Sequence, residues 1–397
     1  MASQDITPAG TGSAKVSLLN DPRIRGYIYQ LVVLVVLVAV GYWFVNNTIA
    51  NLQRANLATG FGFLDGRSGF DISSHPFTDY SSDSTYIKAL YVGILNTMLV
   101  AVVGIITATI IGFIIGVGRL SHNWLIRKLC TVYVEVFRNI PPLLVIFFWY
   151  SGVLAVLPQA RQSIALPFSF LNNRGFFFAV PVFGQGAWLA GVAFVLAVIG
   201  AFLVRRWANK RQMATGQRFP VLWTSLALII GLPFLAFALK GFPVTMNYPE
   251  LGGFNIKGGA LVGPEFMSLY LALSFYTASF IAEIVRAGIR GVGKGQSEAS
   301  HALGLRAGTT TRLVVVPQAL RIIIPPLTSQ YLNLTKNSSL AVAVGYPDLF
   351  AVGGTILNQT GRSIEVVAIF IVIYLSLSVL TSLFMNWFNA KMALVER

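Results

Sequence analysis

Gly295-Gln296-Ser297-Glu298-Ala299-Ser300-His301-Ala302-Leu303-Gly304, followed after nine residues by Val314-Val315-Val316-Pro317, is the stretch on which the reading of this chain turns. Ser297 is placed to act as an N-cap, and Glu298 then falls in a first turn, where a negative charge suits the positive helix end. Gly304 supplies a left-handed stop. These signals predict a helix of about two turns carrying the small residues Ala299, Ser300 and Ala302. Small side chains let another surface approach closely, so the helix is a candidate docking knob. Its flanks decide where it lies. Apolar segments at 266–285 and 322–344 enclose it, each near the roughly 20 residues needed to cross a bilayer as helix.

The composition agrees with a membrane setting. Of 397 residues, 55% are apolar and 11% charged, whereas a soluble domain carries roughly 25% charged residues. Mean hydropathy is +0.70. A water-soluble enzyme is thereby excluded. The formal net charge of +15 invites a nucleic-acid reading, but the basic residues occur in short groups between apolar runs, which is the pattern that writes membrane topology. The single cysteine, Cys130, excludes an intrachain disulfide, and three scattered histidines argue against a metal site.

About eight transmembrane helices are predicted, at 27–45, 87–117, 133–157, 187–204, 221–239, 266–285, 322–344 and 365–388. With the N-terminus inside, the inner segments hold Lys15, Arg23 and Arg25, then Arg119, Arg127, Lys128 and Arg138, then Arg205, Arg206, Lys210, Arg211 and Arg218. Arg286, Arg290, Lys294, Arg306, Arg312 and Arg321 surround the loop after the sixth span, and Lys391 and Arg397 follow the last. The first outer loop instead carries Asp65, Asp71, Asp79 and Asp83. The positive-inside rule therefore places both termini in the cytoplasm. The fold class is all-α and integral to the membrane.

The loop resembles the EAA signature of permease subunits in ATP-binding-cassette importers: Glu-Ala-Ala, three residues, Gly, nine residues, then Ile-x-Leu-Pro. Here Ser300 stands for the second Ala, and Val314 and Val316 stand at the aliphatic positions. The stretches Gly93-Ile94-Leu95-Asn96-Thr97, Glu135 to Leu144 and Lys336-Asn337-Ser338-Ser339-Leu340 resemble polar-amino-acid permeases of the histidine and glutamine uptake type. That similarity covers residues 87–157 and 266–388. Asn172-Asn173-Arg174-Gly175 and the long insertion look like the Q-type subunit of a general L-amino-acid importer.

The resemblance implies a type I importer permease core that forms half of a translocation pathway. It implies coupling to a separate ATPase through Glu298, Ala299, Ser300, Gly304 and Pro317. The partners implied are a sister permease subunit in a heterodimer, a cassette ATPase dimer, a periplasmic amino-acid-binding protein and the lipid bilayer, with no nucleic acid. ATP and magnesium would belong to the ATPase, and this chain would carry no cofactor. The location implied is the bacterial inner membrane. Residues 1–86 read as an added tail, span and outer loop, 87–157 as the first core part, 158–264 as an insertion with two spans, and 265–397 as the second core part with the coupling loop at 286–317. Two added spans keep the loop on the cytoplasmic side.

Several other groups are candidates or decoys. Gly288-Ile289-Arg290-Gly291-Val292-Gly293-Lys294 fits the first seven positions of a phosphate-binding loop. Gly295 stands where Ser or Thr would hold magnesium, and a membrane helix precedes it in place of a strand, so the chain is read as non-catalytic. Ser329, Asn333 and Lys336, at i, i+4 and i+7, share a helix face flanked by Gln330 and Asn337. Polar groups in a span usually face a cavity or a neighbour, so these residues are candidates for the substrate pathway, with Lys336 offering a charge to a carboxylate. The alternative is a lysine reaching to the headgroups. Glu283 and Arg286 are three apart and can pair to brace the helix before the loop. Asn96 and Thr97 read as helix–helix hydrogen-bonding groups, and Pro141-Pro142 and Pro325-Pro326 as interruptions of spans. The competing function is an ion-coupled secondary amino-acid transporter, which would be expected to show two related halves and more intramembrane carboxylates.

Overall fold

The structure, a computed structural model, describes residues 22–54, 60–253 and 255–392. Lys15 and Arg397 of the topology reading lie outside the described residues. Helix α1 spans Pro22–Arg54 and α2 Tyr86–Gly118. Helix α3 is Trp124–Asn139, and α4 is Pro142–Phe147 with a π-helical continuation Phe148–Leu154. Short strands follow: β1 Ile164–Leu166, β2 Ser169–Asn172, β3 Gly175–Phe178 and β4 Val180–Phe183. Helices α5 (Trp188–Thr215) and α6 (Val221–Leu239) form a hairpin. Next come β5 Val244–Asn247, β6 Glu250–Leu251, β7 Ile256–Lys257 and β8 Ala260–Val262. Helix α7 is Pro264–Gly291, α8 Lys294–Ala302, α9 Ala307–Thr310 and α10 Val316–Asn337. A 3-10 stretch, Ser338–Val344, leads to α11 (Leu349–Thr360) and α12 (Ser363–Met392).

Six of these helices, α1, α2, α5, α6, α7 and α12, are long and apolar enough to cross a membrane singly. The expected third and seventh spans are bent pairs. Helix α3 meets α4 at an angle of 111°. Ile140 before Pro141 is extended (φ −102°, ψ 132°), because the proline ring disfavours the α region for the residue that precedes it. The seventh bends by 54° between the 3-10 stretch and α11, where Gly345 turns left-handed at φ 76° and Asp348 caps the next helix. Pro325-Pro326, expected to interrupt a span, lie inside an unbroken α10. They remove two backbone donors and leave the helix assignment intact.

The fold is predominantly helical, and the strands were not foreseen. Strands β1, β2, β3 and β8 make an antiparallel sheet in the order β1-β2-β3-β8; β4 pairs with β5, and β6 with β7. The insertion is therefore a helical hairpin carried on small sheets, and β8 passes through Gly263 directly into α7.

The core is built on α2 against α7. Val100, Gly104, Ala108, Gly112 and Gly116 of α2 recur every four residues and are buried, forming a stripe that lets two backbones approach. A Cβ at Gly116 would sit 2.7 Å from Val285 Cβ. Ile281, Val285, Ile323, Ile324 and Leu327 pack into the same core. A second cluster joins Ile72 and Tyr80 of the loop before α2 to Leu349, Val352 and Ile356 of α11 and Val366 of α12.

Candidate coupling loop and pathway face

Helix α8 begins three residues before the expected cap. Its N-cap is Gly293, so Ser297 is no cap and Glu298 lies outside the first turn. The expected interaction of Glu298 with the helix start is therefore absent. One bond ties the helix to α10, Gln318 Nε2 donating to Gln296 Oε1 at 3.3 Å, and within the helix Ser300 Oγ donates to Gln296 O at 2.7 Å. The far end behaves as expected. Gly304 has φ +74°, its N–H donates to His301 O at 2.9 Å, and Leu305 N–H donates to Ser300 O at 3.1 Å, the paired bonds of a Schellman stop.

Ser300 is buried and Glu298, Ala299, Ala302 and Leu303 are exposed. Of the small residues, Ser300 thus packs inward while Ala299 and Ala302 face out. Leu303, missed in the sequence reading, is 80% exposed. Pro317 opens α10 in its first turn. The outer face of α8 therefore presents one carboxylate, two alanines and a leucine, all exposed, a surface suited to a groove on another protein. The decoy motif is dismantled: Gly288 to Gly291 complete α7 and Gly288 packs under Ile323, so its first four residues are helix rather than a phosphate-binding loop.

An ionic cluster anchors the helix that leads into the loop. Glu283 on α7 pairs with Arg286 through both carboxylate oxygens, the Nε bond being 3.2 Å. The same carboxylate accepts from Arg119 at the end of α2, and Arg119 also lies 3.8 Å from Glu135 on α3. The expected pair is thus part of a four-residue group that ties α2, α3 and α7. A basic residue just past an apolar run was the only sequence signal for Arg119.

The stripe on α10 is exposed at Ser329, Asn333 and Lys336, with Gln330 and Asn337 half-buried, while Ile323, Ile324, Leu327 and Leu334 fill the opposite face. This chain leaves the polar face uncovered. Lys336 lines a cavity of about 330 Å³ with Ser339, Phe350, Phe370, Ile371 and Tyr374. Asn96 and Thr97 do bond between elements: Asn96 Nδ2 donates to Ser74 O at 2.7 Å and Pro347 O at 2.9 Å, and Leu349 N–H donates to Thr97 Oγ1 at 3.0 Å. They hold the bend before α11. Asp348, also missed, is fully buried there and accepts from Ala351 N–H at 2.8 Å and Tyr374 Oη–H at 3.3 Å.

Comparisons with known proteins extend this geometry. A sequence model described as "binding-protein-dependent transport system inner membrane component" matches residues 206–394. The chain is 66% identical over 395 residues to the general L-amino acid transport system permease protein AapQ of Rhizobium johnstonii, covering 99% of this chain and 98% of that one. The chain belongs to the inner-membrane components of binding-protein-dependent transport systems. This permease subunit is also 48% identical over 383 residues to the permease protein YhdX of Escherichia coli strain K12, covering 95% of this chain and 96% of that one. It is 41% identical over 430 aligned positions to the glutamate/glutamine/aspartate/asparagine transport system permease protein BztB of Rhodobacter capsulatus, covering 98% and 99%. Similarity therefore runs through the insertion as well as the core. The permease subunit is a multi-pass membrane protein of an ATP-binding-cassette transporter, and it is non-catalytic, with ATP hydrolysis in a separate chain of the system.

Proposed function

We propose that this permease subunit forms half of the pathway of an ATP-driven importer of L-amino acids in the bacterial inner membrane, with both termini cytoplasmic. The observation that carries the proposal is the near full-length identity to a general L-amino-acid permease. Helix α8 is the contact through which ATP hydrolysis reaches the pathway, using Glu298 and Ala299 on its outer face, with Ser300, Gly304 and Pro317 fixing its shape. The uncovered face of α10, with Ser329, Asn333 and Lys336, meets the pathway opposite a sister permease subunit. Gln330 and Asn337 flank that face, and the Glu283–Arg286 pair braces α7 as the loop moves.

A cassette ATPase dimer that binds ATP and magnesium and a periplasmic amino-acid-binding protein complete the assembly. Purification of the tagged chain from its native membrane tests the partnership. A stoichiometric ATPase and a second permease should come with it. Recovery of the chain alone, in a preparation still competent for ion-driven amino-acid uptake, would favour a secondary transporter.

A further inference from the structure

The β2–β3 turn, Asn172-Asn173-Arg174-Gly175, has no part in the coupling loop or the α10 face, yet it is firmly built. Asn172 is fully buried, its Oδ1 accepts from Arg174 N–H at 2.8 Å, and its Nδ2 donates to Ser163 Oγ at 2.9 Å. Asn173 N–H donates to Pro158 O at 3.0 Å. Gly175 has φ +125°, and any Cβ there would collide with the Val262 carbonyl oxygen. Strand β3 pairs with β8, Phe176 opposite Val262, and β8 continues through Gly263 into α7. The turn is thus held in register with the first turn of the central core helix.

Beneath it lies a cavity of about 520 Å³ whose walls include Ser73, Asn173, Arg174, Glu265, Tyr346 and Pro347, within the usual range of about 300–1,000 Å³ for small-molecule sites. Arg174 and Glu265 bring opposite charges to this space, and among the described residues neither enters an ion pair. Asn173 Oδ1 is buried without a hydrogen-bond partner. Tyr346 and Pro347 belong to the bend before α11, so the cavity touches both the insertion and the broken span. One guanidinium, one carboxylate and an unused amide oxygen match the two ends of an amino-acid zwitterion.

We propose that this cavity binds the α-amino and α-carboxylate groups of an L-amino acid, with Arg174 receiving the carboxylate and Glu265 the ammonium. The inference rests on the amino-acid importer reading and adds a site contributed by the insertion. Recognition confined to the groups every L-amino acid shares leaves the side chain unselected, as a broad-range importer requires. A planar, two-pronged guanidinium is the donor suited to a carboxylate.

The test uses the purified assembly in nanodiscs, with Ser73→Cys as a reporter on the cavity wall. Maleimide labelling of this cysteine is measured against the parent chain, which carries only Cys130. L-glutamate, L-leucine and L-arginine are the probes, each beside the amine that lacks its α-carboxylate. The amino acids should slow labelling by about fivefold or more and the amines should not, and adding Arg174→Gln should remove that protection while Arg174→Lys retains part of it. Equal protection with Arg174→Gln, or by the amines, would overturn the proposal. ATP-dependent uptake by the same assembly in proteoliposomes is read in parallel. Uptake without protection sinks the cavity site alone, whereas absence of both sinks the importer reading as well. A changed response to the binding protein in Arg174→Gln, with amino-acid protection undiminished in that same variant, would make the turn a protein contact and contradict the site.

Discussion

Gly112 of α2 lies so close to Ile281 of α7 that a Cβ on the glycine would stand 2.6 Å from the isoleucine Cβ. No side chain fits there without separating the two helices around which the core is built. Gly112→Val should therefore prevent stable assembly. Gly191→Val, on α5 where nothing lies within 4 Å of the added atom, should assemble normally. Size-exclusion profiles of the two variants check the contrast. A well-folded Gly112→Val assembly would mean that α2 and α7 pack differently.

Glu283 is shared by Arg119 and Arg286. Glu283→Gln removes the anion that both guanidinium groups share and leaves Arg119, among the described residues, with only Glu135, 3.8 Å away. Arg119 is buried but Glu283 and Arg286 are partly exposed, so a loss of about 1–3 kcal/mol is expected, below that of a fully buried pair. Thermal unfolding in detergent should show a lowered midpoint for Glu283→Gln and a smaller drop for Glu283→Asp. An unchanged midpoint in both would reduce the cluster to a surface feature.

Leu303 and Glu298 face outward from α8 and touch little of their own chain. Leu303→Asp or Glu298→Lys should thus leave the thermal midpoint of the permease unchanged and reduce recovery of the ATPase by about tenfold, as expected when an apolar anchor or a docking charge is lost. Co-purification and melting, read together, check this. Normal ATPase recovery and normal coupling in both variants would remove α8 from the coupling path.

The sequence made much of this legible, because bilayer crossing demands long apolar runs and six such runs are single helices here. The bends were harder to place. Pro141 acts through its restriction on Ile140, whereas Pro325-Pro326 lack any such extended residue before them, and composition does not separate the two cases. Ser297 looked like a cap because capping is a local preference worth about 1 kcal/mol, which the Gln296 bonds to Ser300 and Gln318 can override. The strands run two to four residues each, too short for their alternation to be read. Arg119 and Asp348 act through partners far along the chain, Glu283 and Tyr374, and only the fold brings those together. That Arg174 and Glu265 line one cavity was hidden for the same reason.

Lys336 stands on the uncovered face of α10. Lys336→Met keeps most of the side-chain bulk and removes the charge, so amino-acid uptake should fall at least about tenfold while the ATPase remains bound. Uptake assays beside co-purification check both halves. Unchanged uptake would leave Lys336 as a lysine reaching to the headgroups.

The most direct measurement is uptake of labelled L-amino acids into proteoliposomes containing this chain, its sister permease and the ATPase, with the binding protein added outside and ATP enclosed or omitted. Accumulation should require both ATP and the binding protein and should be insensitive to collapse of ion gradients. Accumulation without ATP, driven by a proton or sodium gradient, would contradict the assignment.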